Sequence, residues 1–375
     1  MKADRKRRVV VLGCTGSIGR QALDVIAGRP DDFELVAVAA GRNEAEARAL
    51  AAPLGTDRVE VGTEGSVALA SEGDVDVVLN AIVGAAGLRA SVTALENGKD
   101  LALANKESLI AGGRVCLKAA AKGGGRIFPV DSEHAAIAQC LQGFASEEIA
   151  RIVLTASGGP FRTRHNLSSV TPEQALAHPT WDMGPKITVD SATMMNKGLE
   201  IIEAHFLFGL EFDRIDVLVH PQSVVHGIVE FTDGSCLMQA APTDMRVPIQ
   251  AALAGGSRLT SKVERLNLAA LKKLDFESVD VDRFPSVELA RGAGRRARGY
   301  PAVLNAANEE AVGAFLERAV GFTDIPKVVE SALAAHKPAE DEDLETIFEI
   351  DGWARDYARG IMGTPRAGGL LGARG

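Results

Sequence analysis

The chain has 375 residues, more than one hydrophobic core usually serves, so we expect two or three domains. Its 50 acidic and 41 basic residues give a formal net charge of −9, which disfavours non-specific nucleic-acid binding. Four widely spaced cysteines without a CxxC pair favour a cytoplasmic protein with reduced thiols. No apolar run approaches the about 20 residues of a membrane span, and the apolar run near the N-terminus is too short for a signal peptide.

The first predicted element is a buried parallel strand at 8–12 (RVVVL), followed by a glycine-rich turn at 13–19 (GCTGSIG) and a helix. Strand, glycine turn and helix are the context of a dinucleotide-binding fingerprint, in which backbone N–H groups approach a pyrophosphate. The spacing is GxxGxxG and not GxGxxG, so a generic strand–helix turn is the alternative.

A second strand at 33–40 ends at Gly41, Arg42 and Asn43, where an NAD site usually carries an acid. An arginine there suits the 2′-phosphate of NADP, although it could also be an ordinary solvent-facing side chain. Strand–helix alternation continues through strands at 75–81 and 100–104. The pattern predicts a doubly wound parallel sheet with sites at the strand ends.

The next strand leads into Asp131-Ser132-Glu133-His134. Two carboxylates at positions i and i+2 can face one cation as the chain leaves a strand. The alternative is a helix N-terminus that carries acids, because 135–141 has a helical pattern. A further strand at 151–155 ends in Ser157 and two glycines, which resemble a backbone nest for an oxyanion or phosphate.

A long polar segment at 161–185 contains three prolines and Trp181, and we predict that it is an active-site lid. Trp181 either closes over the ligand or anchors the loop in a buried position.

After the lid, Ile187–Val189 alternates like the end of a strand, and Asp190 or Ser191 is predicted to cap a helix. Asn196, Lys197 and Glu200 share one side of that helix and could hold a phosphate and a metal side by side. A capped helix with a surface Lys–Glu pair is the alternative.

Alternating strands at 215–219, 224–231 and 236–240 predict an antiparallel or mixed sheet with a hairpin turn at Asp233-Gly234. The periodicity of 286–337 predicts helices. We therefore predict an α/β protein with a Rossmann-like NADP-binding domain (1–126), a central α+β catalytic domain (127–255), a connecting segment (256–285) and a C-terminal α-helical bundle (286–375) whose tail (367–375) is disordered.

Ten stretches occur in one order: GCTGSIG, AGRN, NAIVGAAGL, ANKESLI, PVDSEHAAI, TASGGPFR, HPTWDMGPKITVDSATMMNKGLEIIEA, VHPQSVVHGIVEF, PTDMRVP and NAANEEAV. Together they resemble the 1-deoxy-D-xylulose 5-phosphate reductoisomerase family, NADPH- and metal-dependent enzymes of the methylerythritol phosphate route to isoprenoids. The resemblance runs from about residue 8 to about residue 315. Cys14 stands where the family usually has serine, and Arg42 where lysine is frequent.

The resemblance implies roles for individual residues. Lys106, Asp131, Glu133 and Glu200 would be catalytic, and the three acids would bind Mg²⁺ or Mn²⁺. The substrate would contact Lys106, Ser132, Glu133, Ser157, His178, Trp181, Met183, Ser191, Asn196, Lys197 and Glu200. NADPH would contact Thr15, Gly16, Ser17, Ile18, Gly41, Arg42, Asn43, Asn105, Glu107 and Gly184. His226 and Met245 would lie near the site, and the protein would be a homodimer.

The residue types agree with this chemistry. Three carboxylates without thiol or imidazole suit a hard dication, which polarises a ketone while a C–C bond breaks and re-forms. NADPH then supplies the hydride that reduces the resulting aldehyde. A small phosphosugar is the expected substrate, with no nucleic-acid or membrane partner. The alternatives are a plain NADP dehydrogenase of an amino-acid semialdehyde and a catalytically silent nucleotide-sensing or scaffold protein.

Overall fold

The computed structural model describes residues 5–181 and 183–363. The tail at 367–375, predicted to be disordered, lies outside the described residues. Within the described part of the chain, no helix combines the length and the apolar character that crossing a bilayer requires.

The N-terminal part folds around a six-stranded, fully parallel sheet. Its strands are β1 (Arg7–Leu12), β2 (Phe33–Ala40), β3 (Val59–Val61), β4 (Val77–Asn80), β5 (Asp100–Leu103) and β6 (Ile127–Pro129). The intervening helices are α1 (Ser17–Ala27), α2 (Glu44–Ala51), α3 (Gly62–Ala70), α4 (Leu88–Glu96) and α5 (Glu107–Gly123). The strand order β3-β2-β1-β4-β5-β6 is that of a doubly wound dinucleotide-binding fold, so the predicted fold is confirmed.

The second sheet has five strands in the order β10-β9-β7-β8-β11. They are β7 (Ile149–Ala156), β8 (Ile215–Val219), β9 (Val225–Phe231), β10 (Cys236–Ala240) and β11 (Glu277–Ser278). β7 and β8 are parallel and the other pairs are antiparallel, so the sheet is mixed as predicted. The same part of the chain forms four helices, which are α6 (Ser132–Cys140), α7 (Pro172–Leu176), α8 (Pro185–Ala192) and α9 (Met195–Phe208).

The remaining helices are α10 (Arg246–Leu253), α11 (Leu268–Leu271), α12 (Ser286–Arg296), α13 (Tyr300–Leu316), α14 (Asp324–Ala335) and α15 (Leu344–Met362). α10 returns the chain to the first sheet, because Ile249 and Leu253 join the core formed by β1, β2 and α1. α13 packs against α14 and α15, while α12 packs against α9. The C-terminal helices therefore support the helix on which Glu200 lies.

The prediction for the segment after the lid was wrong in detail. Ile187–Val189 belongs to α8, which starts at Pro185, a residue whose fixed φ suits the first turn of a helix. Neither Asp190 nor Ser191 caps α9. The helix begins after Met194, and Met194 itself has a left-handed backbone conformation with φ 60°. The Asp190 carboxylate instead accepts a hydrogen bond from Asn308 on α13, at 2.7 Å.

Candidate active site

A cleft of about 1120 Å³, measured out to its open mouth, lies at the carboxyl ends of β5, β6 and β7. The predicted site residues that line it are Ser17, Ile18, Lys106, Asp131, Ser132, Glu133, Ser157, His178, Trp181, Met183, Gly184, Ser191, Asn196, Lys197 and Glu200, with His226 and Met245. Its concave shape and its convergent polar groups are typical of a small-molecule site.

Asp131, Glu133 and Glu200 meet in this cleft, each with an oxygen within 4.8 Å of the others. Asp131 immediately precedes α6 and Glu133 lies in its first turn. Glu200 comes from α9 and is fully buried. Residues far apart in the chain thus bring three carboxylates to one point, which is the arrangement of a hard-cation centre.

Two lysines compensate these carboxylates. Lys106 Nζ lies 2.5 Å from Asp131 Oδ2 and 3.3 Å from Glu200 Oε1. Lys197 Nζ lies 2.9 Å from Glu133 Oε1 and 2.5 Å from Glu200 Oε2. Burial alone would lower the pKa of each lysine, but the facing carboxylates outweigh it and raise both pKa values. Both lysines therefore remain cationic in the cleft.

The carboxylates themselves respond in opposite directions. Burial would raise the pKa of Asp131, but Lys106 and His134 outweigh it and hold that pKa below its usual range. Burial raises the pKa of Glu200 to about 7, despite the opposing effect of Lys197. Asp131 is thus ionised at neutral pH, whereas Glu200 titrates near neutrality.

Sequence reasoning missed a buried pair behind the three carboxylates. His134 Nδ1 lies 3.3 Å from Glu203 Oε2, and His134 Nε2 donates to the backbone oxygen of Glu200 at 2.9 Å. Burial raises the pKa of Glu203 to about 7. The bond from His134 to the Glu200 backbone joins α6 to α9 beside the cleft carboxylates. The only available sequence signal was a glutamate among the apolar residues of a predicted helix.

An anion-binding backbone nest was predicted at the end of β7, where Ser157 is followed by two glycines. Gly158 and Gly159 adopt φ of 83° and 63°, and the Gly159 N–H donates to Ser157 Oγ at 3.1 Å. His178 Nδ1 accepts the backbone N–H of Trp181 at 2.9 Å, so its Nε2 carries the hydrogen and donates to Ser157 Oγ at 3.0 Å. Burial lowers the pKa of His178, so the ring is a neutral donor.

The predicted lid at 161–185 contains a short helix, α7, which Thr171 caps in a capping box. Trp181 is half-buried, lines the cleft and faces His226 with ring centroids 6.2 Å apart. Met194 and Ser223, two lining residues with positive φ, were missed by sequence reasoning because no local pattern marks such a conformation.

The glycine turn of the candidate cofactor site is sterically required. A Cβ on Gly13 would lie 2.6 Å from the Ala81 oxygen, and one on Gly19 would lie 2.2 Å from the Gly13 oxygen. The turn therefore lets α1 start close against β1. Arg42 lies exposed after β2, and Asn43 caps α2 by accepting the Glu46 N–H at 3.2 Å.

The remaining predicted cofactor residues lie outside the cleft lining: Thr15, Gly16, Gly41, Arg42, Asn43, Asn105 and Glu107. Asn105 is buried, and its amide donates to the backbone oxygens of Ile82 and Gly84 at 2.6 and 2.8 Å. Its side chain therefore joins the loop after β4 to the start of α5.

The fold and the site together define an enzyme of the dinucleotide-dependent oxidoreductase class. The model of the 1-deoxy-D-xylulose 5-phosphate reductoisomerase family matches residues 9–61 and 44–113, and models of its C-terminal domains match 127–208 and 240–357. The chain belongs to this family, which confirms the assignment made from the sequence.

Relatives of that name from Leifsonia xyli and Mycobacterium tuberculosis are 50% and 48% identical, over 95% and 96% of this chain and 99% and 91% of theirs. The Zymomonas mobilis enzyme, solved in complex with NADPH, is 42% identical with a TM-score of 0.87, over 95% of this chain and 99% of that one. A reductoisomerase solved with NADPH, fosmidomycin and magnesium is 38% identical with a TM-score of 0.89, over 95% and 98%.

Proposed function

We propose that this chain converts 1-deoxy-D-xylulose 5-phosphate to 2-C-methyl-D-erythritol 4-phosphate in non-mevalonate isoprenoid precursor synthesis. The reaction comprises a metal-assisted rearrangement of the carbon skeleton and an NADPH-dependent reduction of the aldehyde that it forms. Family membership over nearly the whole chain supports this activity. The convergence of Asp131, Glu133 and Glu200 in one cleft is the observation that carries it.

The donor set fits a divalent metal. All three candidate ligands offer carboxylate oxygens, which Mg²⁺ and Mn²⁺ prefer, and related enzymes are solved with magnesium. Asp131, Glu133 and Glu200 would hold the ion. When bound, it polarises the substrate ketone and stabilises negative charge on the adjacent oxygens.

Lys106 is placed to stabilise that charge from the protein side. Its ammonium has three donors and already contacts Asp131, Glu200 and the Asn196 side-chain oxygen, at 2.8 Å from the last. A substrate oxygen that reaches the carboxylates is therefore within reach of the same donors. This is an oxyanion-stabilising role. Ser132, whose hydroxyl donates to Glu133, is placed beside the same oxygens.

The phosphate end of the substrate would bind away from the reacting carbons. The candidate phosphate ligands Ser157, Ser191, Asn196 and Lys197 line the same cleft, with the neutral His178 donor on the lid. Binding energy gained there can close the lid, on which Trp181 and Met183 lie, and shield the aldehyde from water.

NADPH would bind across the carboxyl edge of the parallel sheet. The N-terminus of α1 carries no side-chain cap, so its backbone N–H groups suit the pyrophosphate. That turn contains Thr15, Gly16, Ser17 and Ile18. The 2′-phosphate side of the cofactor would be bound by Gly41, Arg42 and Asn43. The residues towards the nicotinamide would be Asn105, Glu107 and Gly184.

We also propose that the protein is a cytoplasmic homodimer. Three of its four free cysteines are buried, as in proteins that keep reduced thiols. The edge strand β10 is largely exposed, and Leu237 and Met238 are 41% and 50% accessible. Pairing of two such edges would cover this apolar surface. Sedimentation equilibrium tests the dimer, and a strictly monomeric protein at micromolar concentration would reject it.

The activity is tested by following NADPH absorbance with the deoxyxylulose phosphate substrate, before and after chelation of the metal. We expect oxidation of NADPH that stops with chelator and returns with Mg²⁺ or Mn²⁺. Metal-independent turnover would favour a plain dehydrogenase, and absence of turnover with all components present would favour a silent binding protein.

A further inference from the structure

A network of charged and amide side chains joins the C-terminal helices to the candidate cofactor site. At its centre is Lys186, which lies two residues after Gly184 at the end of the lid. Lys186 Nζ is 3.1 Å from Glu107 Oε1 and 3.1 Å from Asp190 Oδ2. About four-fifths of the lysine side chain is covered, and both carboxylates are more than nine-tenths buried.

The side-chain network extends from Lys186 in two directions. Towards the cofactor site, Glu107 Oε2 accepts the Asn105 amide at 3.0 Å, and Asn105 holds the loop after β4. Towards the C-terminus, Asp190 Oδ1 accepts the Asn308 amide at 2.7 Å, which joins α8 to α13.

Helix α15 reaches the same network through Arg355. Its guanidinium donates to Glu309 at 2.7 Å, next to Asn308 on α13. The Glu309 carboxylate adds to the field at Lys186: burial would lower the pKa of Lys186, but Asp190, Glu107 and Glu309 outweigh it and raise that pKa. The same carboxylate borders Gly84, because a Cβ built there would lie 3.4 Å from it.

We infer that Lys186 is a positioning residue through which the C-terminal helices hold the cofactor site, an inference that rests on the proposed NADPH function. By bridging Glu107 and Asp190, it fixes the start of α5 relative to the lid end. Asn105 and Lys106 immediately precede that start, so the same contact fixes both the candidate catalytic ammonium and the cofactor loop. The C-terminal helices thus act on cofactor binding without lining the cleft.

Lys186→Met keeps the length of the side chain and removes its charge, whereas Lys186→Arg keeps the charge. NADPH fluorescence titration without substrate should give a dissociation constant about tenfold higher for Lys186→Met and within about threefold of wild type for Lys186→Arg. In the Lys186→Met, Glu107→Gln double variant, the loss should be smaller than the product of the two single losses. An unchanged constant for Lys186→Met, or independent losses, would overturn the inference.

A second pair of variants decides the question if Lys186→Met does not fold. Arg355 on α15 is largely covered and pairs with both Glu309 and Glu310, whereas Lys327 on the neighbouring helix α14 is exposed and pairs with Asp324. Arg355→Gln should raise the NADPH dissociation constant about threefold, and Lys327→Gln should leave it unchanged. Equal effects would overturn the inference. If wild-type protein binds NADPH but the variants do not differ as expected, only this inference fails. If wild-type protein binds no NADPH, the proposed function fails as well.

Discussion

Lys106 Nζ lies 2.5 Å from Asp131 Oδ2, so the proposed catalytic ammonium and a candidate metal ligand form a direct ion pair in the cleft. Lys197 makes the equivalent contacts with Glu133 and Glu200. A bound dication would neutralise part of the negative charge of the carboxylates. The N–H groups of the ammonium would then be available to substrate oxygens. We therefore expect metal binding and substrate binding to be coupled through the same carboxylates.

Glu200→Gln tests the metal centre. Removing one of three carboxylates should lower kcat at least about 100-fold, because the change weakens the ion that stabilises developing charge. NADPH affinity should stay within about twofold of wild type, since Glu200 lies outside the proposed cofactor contacts. Steady-state kinetics and fluorescence titration measure the two quantities. The exposed Glu317→Gln serves as the matched control, and a loss of kcat below about tenfold in Glu200→Gln would reject the ligand assignment.

Arg42→Glu tests cofactor choice. An acid beside the 2′-phosphate should weaken NADPH binding at least about tenfold and leave NADH binding nearly unchanged, because NADH lacks that phosphate. Dissociation constants for both dinucleotides provide the comparison. Arg48→Glu on the neighbouring helix α2 is exposed and should discriminate little. Equal losses for the two dinucleotides in Arg42→Glu would rule out the 2′-phosphate role.

Glu203 predicts a pH dependence of stability in the metal-free protein. Burial raises its pKa from 4.5 to about 7, so the folded state binds this proton more tightly than the unfolded state. The resulting stabilisation is complete below pH 4.5 and is lost as pH rises through about 7.

The free energy of unfolding should therefore fall across that window, by at most about 3 kcal/mol from this group. Denaturant titrations at several pH values should show a shallower fall for Glu203→Gln than for the exposed control Glu211→Gln. Identical slopes for the two variants would contradict the assignment.

Gly198→Ala tests the contact between α9 and α12. A Cβ at this position would lie 2.6 Å from Ala290 Cβ and 2.9 Å from the Ser286 oxygen, too close without a shift of the helices. We expect a loss of about 1–3 kcal/mol in the free energy of unfolding. Gly313→Ala on α13, with nothing within 4 Å, should be neutral or stabilising. Equal stability of the two variants would show that the contact is not tight.

The sequence was most informative where chemically distinctive residues directly follow a predicted strand. Asp131 and Glu133 were paired correctly because two carboxylates followed one strand, and the hairpin at Gly234 followed from its turn residues. Their meeting with Glu200 came only from the family resemblance, because no local pattern specifies a contact across 69 positions.

The failures have physical causes. Ile187-Thr188-Val189 are β-branched and favour strands locally, but Pro185 and the packing of α8 against α9 and α13 favour a helix. Helix α15 lies within the predicted C-terminal bundle but was not predicted as an individual helix. Ile347, Ile350, Ala354 and Ala358 form its buried face, but charged residues interrupt the pattern. The pairing of Glu203 with His134 depends on tertiary packing that no spacing predicts.

Diffraction from Mn²⁺-soaked crystals, recorded for the anomalous signal of the metal, is the most direct test of the central claim. We expect one peak enclosed by the carboxylate oxygens of Asp131, Glu133 and Glu200, with Lys106 still at hydrogen-bond distance from the site. A manganese ion bound elsewhere, or none among these oxygens at saturating Mn²⁺, would contradict the account.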